Sequence, residues 1–285
     1  MELDRNQLEA IIKNAIAEDL GSGDITSQSI IPNRRTGEAI IIAKAKGILA
    51  GNRVARMVFE SIDNNLVYKE IISDGAWLER GAEIATVKGS VRSILAGERV
   101  ALNFTQHLSG IATLTGQFVE KIKDYPVKIL DTRKTLPGLR RLEKYAVRMG
   151  GGHNHRAGLY DEILIKDNHI TAGGGITPAV EAVRKKYGGK QTIEVETKSL
   201  DEVNEALAAG ADTIMLDNMT IKVIKTAVQV VAEWNKHKKK KVKTEASGGV
   251  TMHNIRNIAR SGVDLISVGA LTHSAPVLDI SLEFK

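Results

Sequence analysis

The 285-residue sequence contains no cysteine, which excludes disulfides, thiolate metal sites and cysteine nucleophiles. Aromatic residues make up only 4% of the chain, and this scarcity argues against the stacking platforms that bind single-stranded nucleic acids. No apolar run approaches the roughly 20 residues that span a bilayer, and no apolar segment of a secretory signal opens the sequence. We therefore expect a cytoplasmic protein that binds neither nucleic acid nor membrane.

The composition is otherwise that of an ordinary globular protein, with 42% hydrophobic and 26% charged residues. Lys and Arg outnumber Asp and Glu by 40 to 34, which gives a net charge of +6. A mild excess of this kind fits either a nucleic-acid surface or a pocket for small anions. The cationic run over residues 236–241 is best explained as a solvated helix end, where cations are favoured.

Two different patterns divide the chain near Pro126. Before it, the mixture of predicted strands and helices lacks a regular alternation and indicates an α+β domain. After it, short apolar strands alternate with helices, as in parallel βα units, and this favours a barrel. Six such strands are predicted, at residues 127–130, 163–165, 192–195, 213–216, 242–245 and 265–268.

Cations cluster at the carboxyl ends of these strands, where α/β barrels place their chemistry. Arg forms paired hydrogen bonds with carboxylate or phosphate, while Lys acts as a point charge. The cluster would suit a ligand with several negative charges. Its members are Arg133, Lys134, His155, Arg156 and Lys166.

Glycines and acids follow the remaining strands. Ser247-Gly248-Gly249 and Gly269 come after the last two strands, where barrels often bind phosphate through backbone amides. Glu196 and Asp217 end the two strands before them and, beside phosphates, indicate Mg²⁺. General-base chemistry or hydrogen bonds to sugar hydroxyls are equally open for this pair. We expect Glu194 to point to the face of its strand opposite Glu196.

Three motifs stand out: the stretch DTRKTLPGLR at 131–140, NHR at 154–156 and IKDNH at 165–169. They carry the most specific part of a resemblance to quinolinate phosphoribosyltransferases. It continues through EDLGSGDITS, GERVALNFTQHLSGIATLTG, IEVET, IMLDN, EASGGV and VGALTHS, and covers residues 18–279 in order.

The resemblance implies an α/β fold with an N-terminal α+β sandwich and a C-terminal incomplete α/β barrel of six to seven parallel strands. We predict the sandwich at residues 1–107, the barrel with the phosphoribosyl-transfer site at 108–273, and a return to the N-terminal domain at 274–285. The implied assembly is a homodimer or larger homo-oligomer. Its implied reaction converts quinolinate and phosphoribosyl pyrophosphate, with Mg²⁺, to nicotinate mononucleotide, pyrophosphate and CO₂ in NAD biosynthesis.

The resemblance also assigns roles to individual residues. Arg133, Lys134, His155 and Arg156 match binders of the quinolinate carboxylates, and Arg99 matches an arginine that the neighbouring subunit donates. Lys166 matches a catalytic lysine near the ribose and pyrophosphate. Glu196 and Asp217 match catalytic acids at the ribose and Mg²⁺. The cradle of the 5-phosphate is matched by Ser247, Gly248, Gly249 and Gly269.

Three alternatives stay open. A lysine at a barrel strand end can form a Schiff base, which would make the protein an aldolase with Lys166 as nucleophile. A basic nucleic-acid module has only the run over 236–241 in its favour. Among phosphoribosyltransferases, an enzyme that uses nicotinate or another heteroaromatic base is the main alternative.

Overall fold

The computed structural model describes residues 5–285, with side chains from Leu8 onward, and they group into two compact units. The first unit combines residues up to Gln117 with Thr135–Gly152 and Leu271–Lys285. The second combines Phe118–Lys134 with His153–Ala270. Every helix in the described part of the chain is too short or too polar to traverse a lipid bilayer.

Twelve strands and eleven helices are present in residues 5–285. The strands are β1 (Thr36–Ala43), β2 (Gly47–Ile48), β3 (Val67–Glu70), β4 (Trp77–Leu78), β5 (Glu83–Ser90), β6 (Lys128–Leu130), β7 (Ile163–Ile165), β8 (Ile193–Thr197), β9 (Thr213–Asp217), β10 (Lys243–Ser247), β11 (Leu265–Ser267) and β12 (Ile280–Phe284). The helices are α1 (Arg5–Leu20), α2 (Ile25–Ile30), α3 (Asn52–Ile62), α4 (Val91–Lys121), α5 (Arg140–Met149), α6 (Asp167–Gly173), α7 (Ile176–Tyr187), α8 (Leu200–Ala209), α9 (Ile221–Lys236), α10 (Ile255–Ala259) and α11 (Ala270–His273).

The first unit is built on an antiparallel sheet in the order β12-β1-β5-β3. Strand β1 lies between β5 and β12, and Ile41 pairs with Ala85 on one side and Leu282 on the other. The last strand of the chain therefore belongs to the first sheet. Helix α3 buries Val54, Val58 and Phe59, which recur at the spacing of one helix face.

The second unit contains six parallel strands in the order β7-β8-β9-β10-β11-β6. Because the first of these strands in the chain, β6, pairs with the last, β11, the sheet curves back on itself as an incomplete barrel. The predicted α/β class and all six predicted strands are confirmed. A single parallel bridge joins Leu130 to His153 beyond β6.

Helix α5 is one element that the sequence pattern did not reveal. Its buried face carries Glu143 and Lys144 beside Leu142, Ala146 and Val147, so charged residues interrupt the apolar repeat. The Glu143 carboxylate lies 2.9 Å from His107 Nε2 and accepts the Leu136 N–H at 3.3 Å. Buried carboxylates persist where such partners are available.

Candidate active site

The predicted polar residues of the second unit do lie at the carboxyl ends of its parallel strands. Asp131 directly follows β6, and Lys166 follows β7. Glu196 stands within the last two residues of β8, and Asp217 and Ser247 end β9 and β10. Asp217 and Ser247 are register partners, so the ends of β9 and β10 are side by side.

A buried aspartate fixes the basic loop that follows the Leu130–His153 bridge. Asp131 is fully buried, and its Oδ1 accepts the His155 N–H at 2.9 Å. Its Oδ2 accepts Asn154 Nδ2–H at 2.6 Å. The loop is therefore tied to the end of β6, which holds His155 and Arg156 at the strand ends.

Two arginines share this end of the barrel. Arg156 is only 5% exposed, and its Nη1 donates to the Glu162 carbonyl at 3.3 Å. Burial lowers the pKa of Arg156, and the nearby Arg133 guanidinium lowers it further. Arg133 is half-buried. Two guanidinium groups that repel each other in a partly dry site are stabilised by a ligand with more than one negative charge.

The acidic side of the site is formed by Glu196 and Asp217. Glu196 is buried, and burial raises its pKa, with the Asp217 carboxylate raising it further. The Lys166 ammonium opposes that shift, with Nζ 3.9 Å from Glu196 Oε2. Two mutually repelling carboxylates at adjacent strand ends fit a cation between them.

The expectation that Glu194 points away from Glu196 is wrong. Residues two apart on a strand share a face, and Glu194 lies on the side of His155, with Oε2 3.1 Å from His155 Nε2. Glu194, whose side chain is 12% exposed, thus lies one layer below Glu196. The period-2 rule, applied to Glu194 and Glu196, would have found it.

Glu245 is a second buried acid that the sequence did not single out. It is 1% exposed, its Oε1 lies 3.7 Å from His155 Nε2, and it accepts a hydrogen bond from Ser267 Oγ. Burial raises the pKa of Glu245 to about 8, and Glu194 contributes to that shift. Ligand atoms of His155, Glu194 and Glu245 all lie within 4.8 Å of one another.

The glycines after β10 adopt the backbone conformation that favours glycine. Gly248 has φ +89° and Gly249 has φ +58°. Asn218 also has positive φ, at 53°, and its N–H donates to the Ser247 carbonyl at 2.9 Å. A Cβ at Gly248 would overlap the Asn218 side chain. Asn218, which the sequence reading overlooked, therefore shapes this turn.

The remaining predicted residues are placed as follows. Lys134 is exposed, and its N–H donates to Thr132 Oγ1 at 3.1 Å. Gly269 is half-buried and lies two residues after the end of β11. Arg99 lies in the first unit, on α4, with an exposed side chain. Their functional roles stay predictions.

Sequence profiles of a known family match almost the whole chain. The quinolinate phosphoribosyl transferase N-terminal domain matches residues 24–109, and the C-terminal domain of the same family matches residues 111–283. A probable nicotinate-nucleotide pyrophosphorylase (carboxylating) of Bacillus subtilis is 46% identical over 277 residues, which cover 97% of this chain and 93% of that protein. A chloroplastic nicotinate-nucleotide pyrophosphorylase (carboxylating) of Arabidopsis thaliana is 44% identical, with 97% and 82% covered.

Solved structures show the same likeness. The nicotinate-nucleotide pyrophosphorylase of Francisella tularensis superposes with a TM-score of 0.93 at 42% identity, covering 100% of this chain and 98% of that one. That of Ehrlichia chaffeensis gives a TM-score of 0.91 at 40% identity, with both chains fully covered.

Proposed function

Because this chain belongs to the quinolinate phosphoribosyltransferase family, we propose that it joins quinolinate to phosphoribosyl pyrophosphate in NAD biosynthesis. The products are nicotinate mononucleotide, pyrophosphate and CO₂. The observation that carries this proposal within the site is the pairing of half-buried Arg133 with buried Arg156, whose mutual repulsion a dicarboxylate would relieve. His155 and Lys134 extend this basic side of the site.

The acidic side supports binding of Mg²⁺ and ribose. Glu196 and Asp217 would hold Mg²⁺ directly or through water, since this ion takes few carboxylates and keeps sites for water and phosphate oxygens. When bound, the ion supplies positive charge that stabilises the departing pyrophosphate. Ser247, Gly248, Gly249 and Gly269 would hold the 5-phosphate through backbone amides.

The protein residues contribute to the reaction mainly through their charges. Loss of pyrophosphate leaves positive character at ribose C1, which the Glu196 and Asp217 carboxylates stabilise. Lys166, which lies beside Glu196, would contact the ribose and the pyrophosphate. The guanidinium groups of the basic side hold the ring nitrogen of quinolinate in line with C1.

The remaining step needs no protein nucleophile. The ring nitrogen uses its lone pair to form the bond to C1, and the ring becomes a cation. The bond to the adjacent 2-carboxylate then breaks and CO₂ leaves. The electron pair of that bond stays on the ring carbon, where the adjacent ring cation stabilises it until the carbon takes a proton from water. The protein therefore contributes positioning and electrostatic stabilisation.

The assembly and location belong to the same proposal. We place this enzyme in the cytoplasm as a homodimer or larger homo-oligomer in which Arg99 completes the site of the neighbouring subunit. The exposed side chain of Arg99 supports that role, because an exposed arginine is available to a second chain.

The enzyme should release CO₂ and pyrophosphate with quinolinate and hardly turn over nicotinate. Nicotinate has one carboxylate, so one buried guanidinium would stay without its partner, which costs about 3–5 kcal/mol. A coupled assay of CO₂ and pyrophosphate release with both substrates checks this. Comparable turnover of nicotinate would disprove the proposed substrate, and absence of quinolinate turnover would disprove the function.

Gly248→Ala should weaken phosphoribosyl pyrophosphate affinity by at least about tenfold, because misplacing an amide donor costs more than ~1.4 kcal/mol. The new methyl group would strain a positive φ and collide with Asn218. Gly210→Ala is the matched control, since Gly210 has φ +90° but open space around it. The control should lose stability by about 1 kcal/mol and keep its affinity. Equal affinities in calorimetry would contradict the cradle.

A further inference from the structure

Inside the barrel, three polar side chains below the basic and acidic sides have no role in the mechanism above: Glu194 is half-buried, and Glu245 and Ser267 are buried. Glu194 and Glu245 approach His155 Nε2 at 3.1 Å and 3.7 Å, and Ser267 donates to Glu245. Barrel interiors are normally filled by branched apolar residues, which avoid the cost of burying carboxylates. A pair of acids at this depth therefore calls for an explanation beyond packing.

The other edge of the imidazole leads to the substrate side. His155 Nδ1 accepts the backbone N–H of Arg156 at 2.7 Å. In a neutral imidazole whose Nδ1 accepts a hydrogen bond, the proton lies on Nε2, and here Nε2 faces Glu194. Both ring nitrogens are thus directed at protein groups. The ring connects Glu194 and Glu245 to the backbone that carries the Arg156 guanidinium.

We propose that Glu194 and Glu245 are positioning residues for quinolinate recognition. They hold the His155 ring in place, and the ring in turn fixes the backbone of Arg156. His155 then acts through Arg156, whereas the resemblance to the family makes His155 a direct binder of the substrate. The proposal rests on the proposed quinolinate activity and adds two residues that never touch the substrate.

The direction of the expected effect separates positioning from simple electrostatics. Removing a negative group near the site of a dianion should tighten the binding of that dianion if Coulomb forces alone act. If Glu194 positions the arginine through His155, the same change should weaken binding. A purely structural role would lower the melting temperature of Glu194→Gln and leave the affinity of the folded enzyme unchanged.

The test measures quinolinate and phosphoribosyl pyrophosphate affinities by calorimetry, together with kcat and KM, on the full chain. Glu194→Gln should weaken quinolinate binding about tenfold, because a neutral amide replaces the carboxylate that lies 3.1 Å from His155 Nε2. The affinity for phosphoribosyl pyrophosphate should stay within about threefold, and the loss should fall on the KM of quinolinate more than on kcat.

Two further variants sharpen the result. Glu194→Asp keeps the charge but withdraws the carboxylate by one methylene, so a weaker quinolinate affinity here cannot be Coulombic in origin. Glu162→Gln is the charge control, because its carboxylate lies 3.9 Å from His155 Nδ1 and is 53% exposed. This control should bind quinolinate as well as the parent enzyme or better.

Unchanged or tighter quinolinate binding in folded Glu194→Gln and Glu194→Asp would overturn the positioning role. Failure of both variants to fold would overturn it too, since the acids would then be a requirement of the barrel itself. Failure of the parent enzyme to bind quinolinate would instead refute the proposed function, and the two failures are therefore distinguishable.

Discussion

Glu196→Gln and Asp217→Asn should each lower kcat by about 10²–10³, equivalent to ~2.7–4 kcal/mol of barrier. Positive charge at ribose C1 develops only as pyrophosphate leaves. A carboxylate that faces C1 therefore stabilises the transition state more than the bound substrates. Burial raises the pKa of Glu196, and the Asp217 carboxylate at the neighbouring strand end raises it further.

Quinolinate affinity should distinguish these acids from the arginines. Arg133→Ala should mainly weaken quinolinate binding, because its proposed partner is a carboxylate present before the reaction starts. Calorimetry with quinolinate and single-turnover kinetics measure the two effects separately. Glu181→Gln, an exposed position on α7, is the matched control and should leave both unchanged.

A division of the site into a basic quinolinate side and an acidic ribose side predicts opposite patterns for the two classes of variant. If the Glu196 and Asp217 variants lost quinolinate affinity as much as Arg133→Ala, with an unchanged chemical step, that division would be wrong.

Arg99→Ala should reduce kcat/KM by roughly 30- to 5,000-fold, the range for removing one partner of a buried charge pair at about 2–5 kcal/mol. The fold of each chain should be preserved, since Arg99 is exposed on α4. Arg80→Ala, another exposed arginine of the first unit, is the control and should keep full activity. Steady-state kinetics and circular dichroism on both variants check this.

Mixing two inactive variants tests whether Arg99 acts on the neighbouring subunit. In a mixed dimer of Arg99→Ala and Lys166→Ala chains, one of the two sites would contain both wild-type residues. A 1:1 mixture with free exchange should therefore recover roughly a quarter of the wild-type activity, given a symmetric dimer. Mixed dimers confirmed by mass spectrometry but lacking activity would rule out sharing across the interface.

The sequence by itself determined the features that depend on local pattern. The six parallel strands appeared as short apolar runs at regular intervals, and all of them are present, with β7 at the predicted limits of residues 163–165. The strand-end positions of Lys166 and Asp217 followed from the same pattern, because parallel strands place their carboxyl ends at one edge. Motif resemblance then identified the family that the comparisons show.

Only the tertiary structure decided which charged groups are buried together. Glu194 and Glu245 lie on β8 and β10, separated by β9, and they meet through the curvature of the sheet around His155. Helix α5 stayed hidden because Lys144 and Glu143 are buried on it. A periodic pattern records which side a residue faces within its own element. The partners that make burial of a charge tolerable come from distant segments, and only the folded chain brings them into contact.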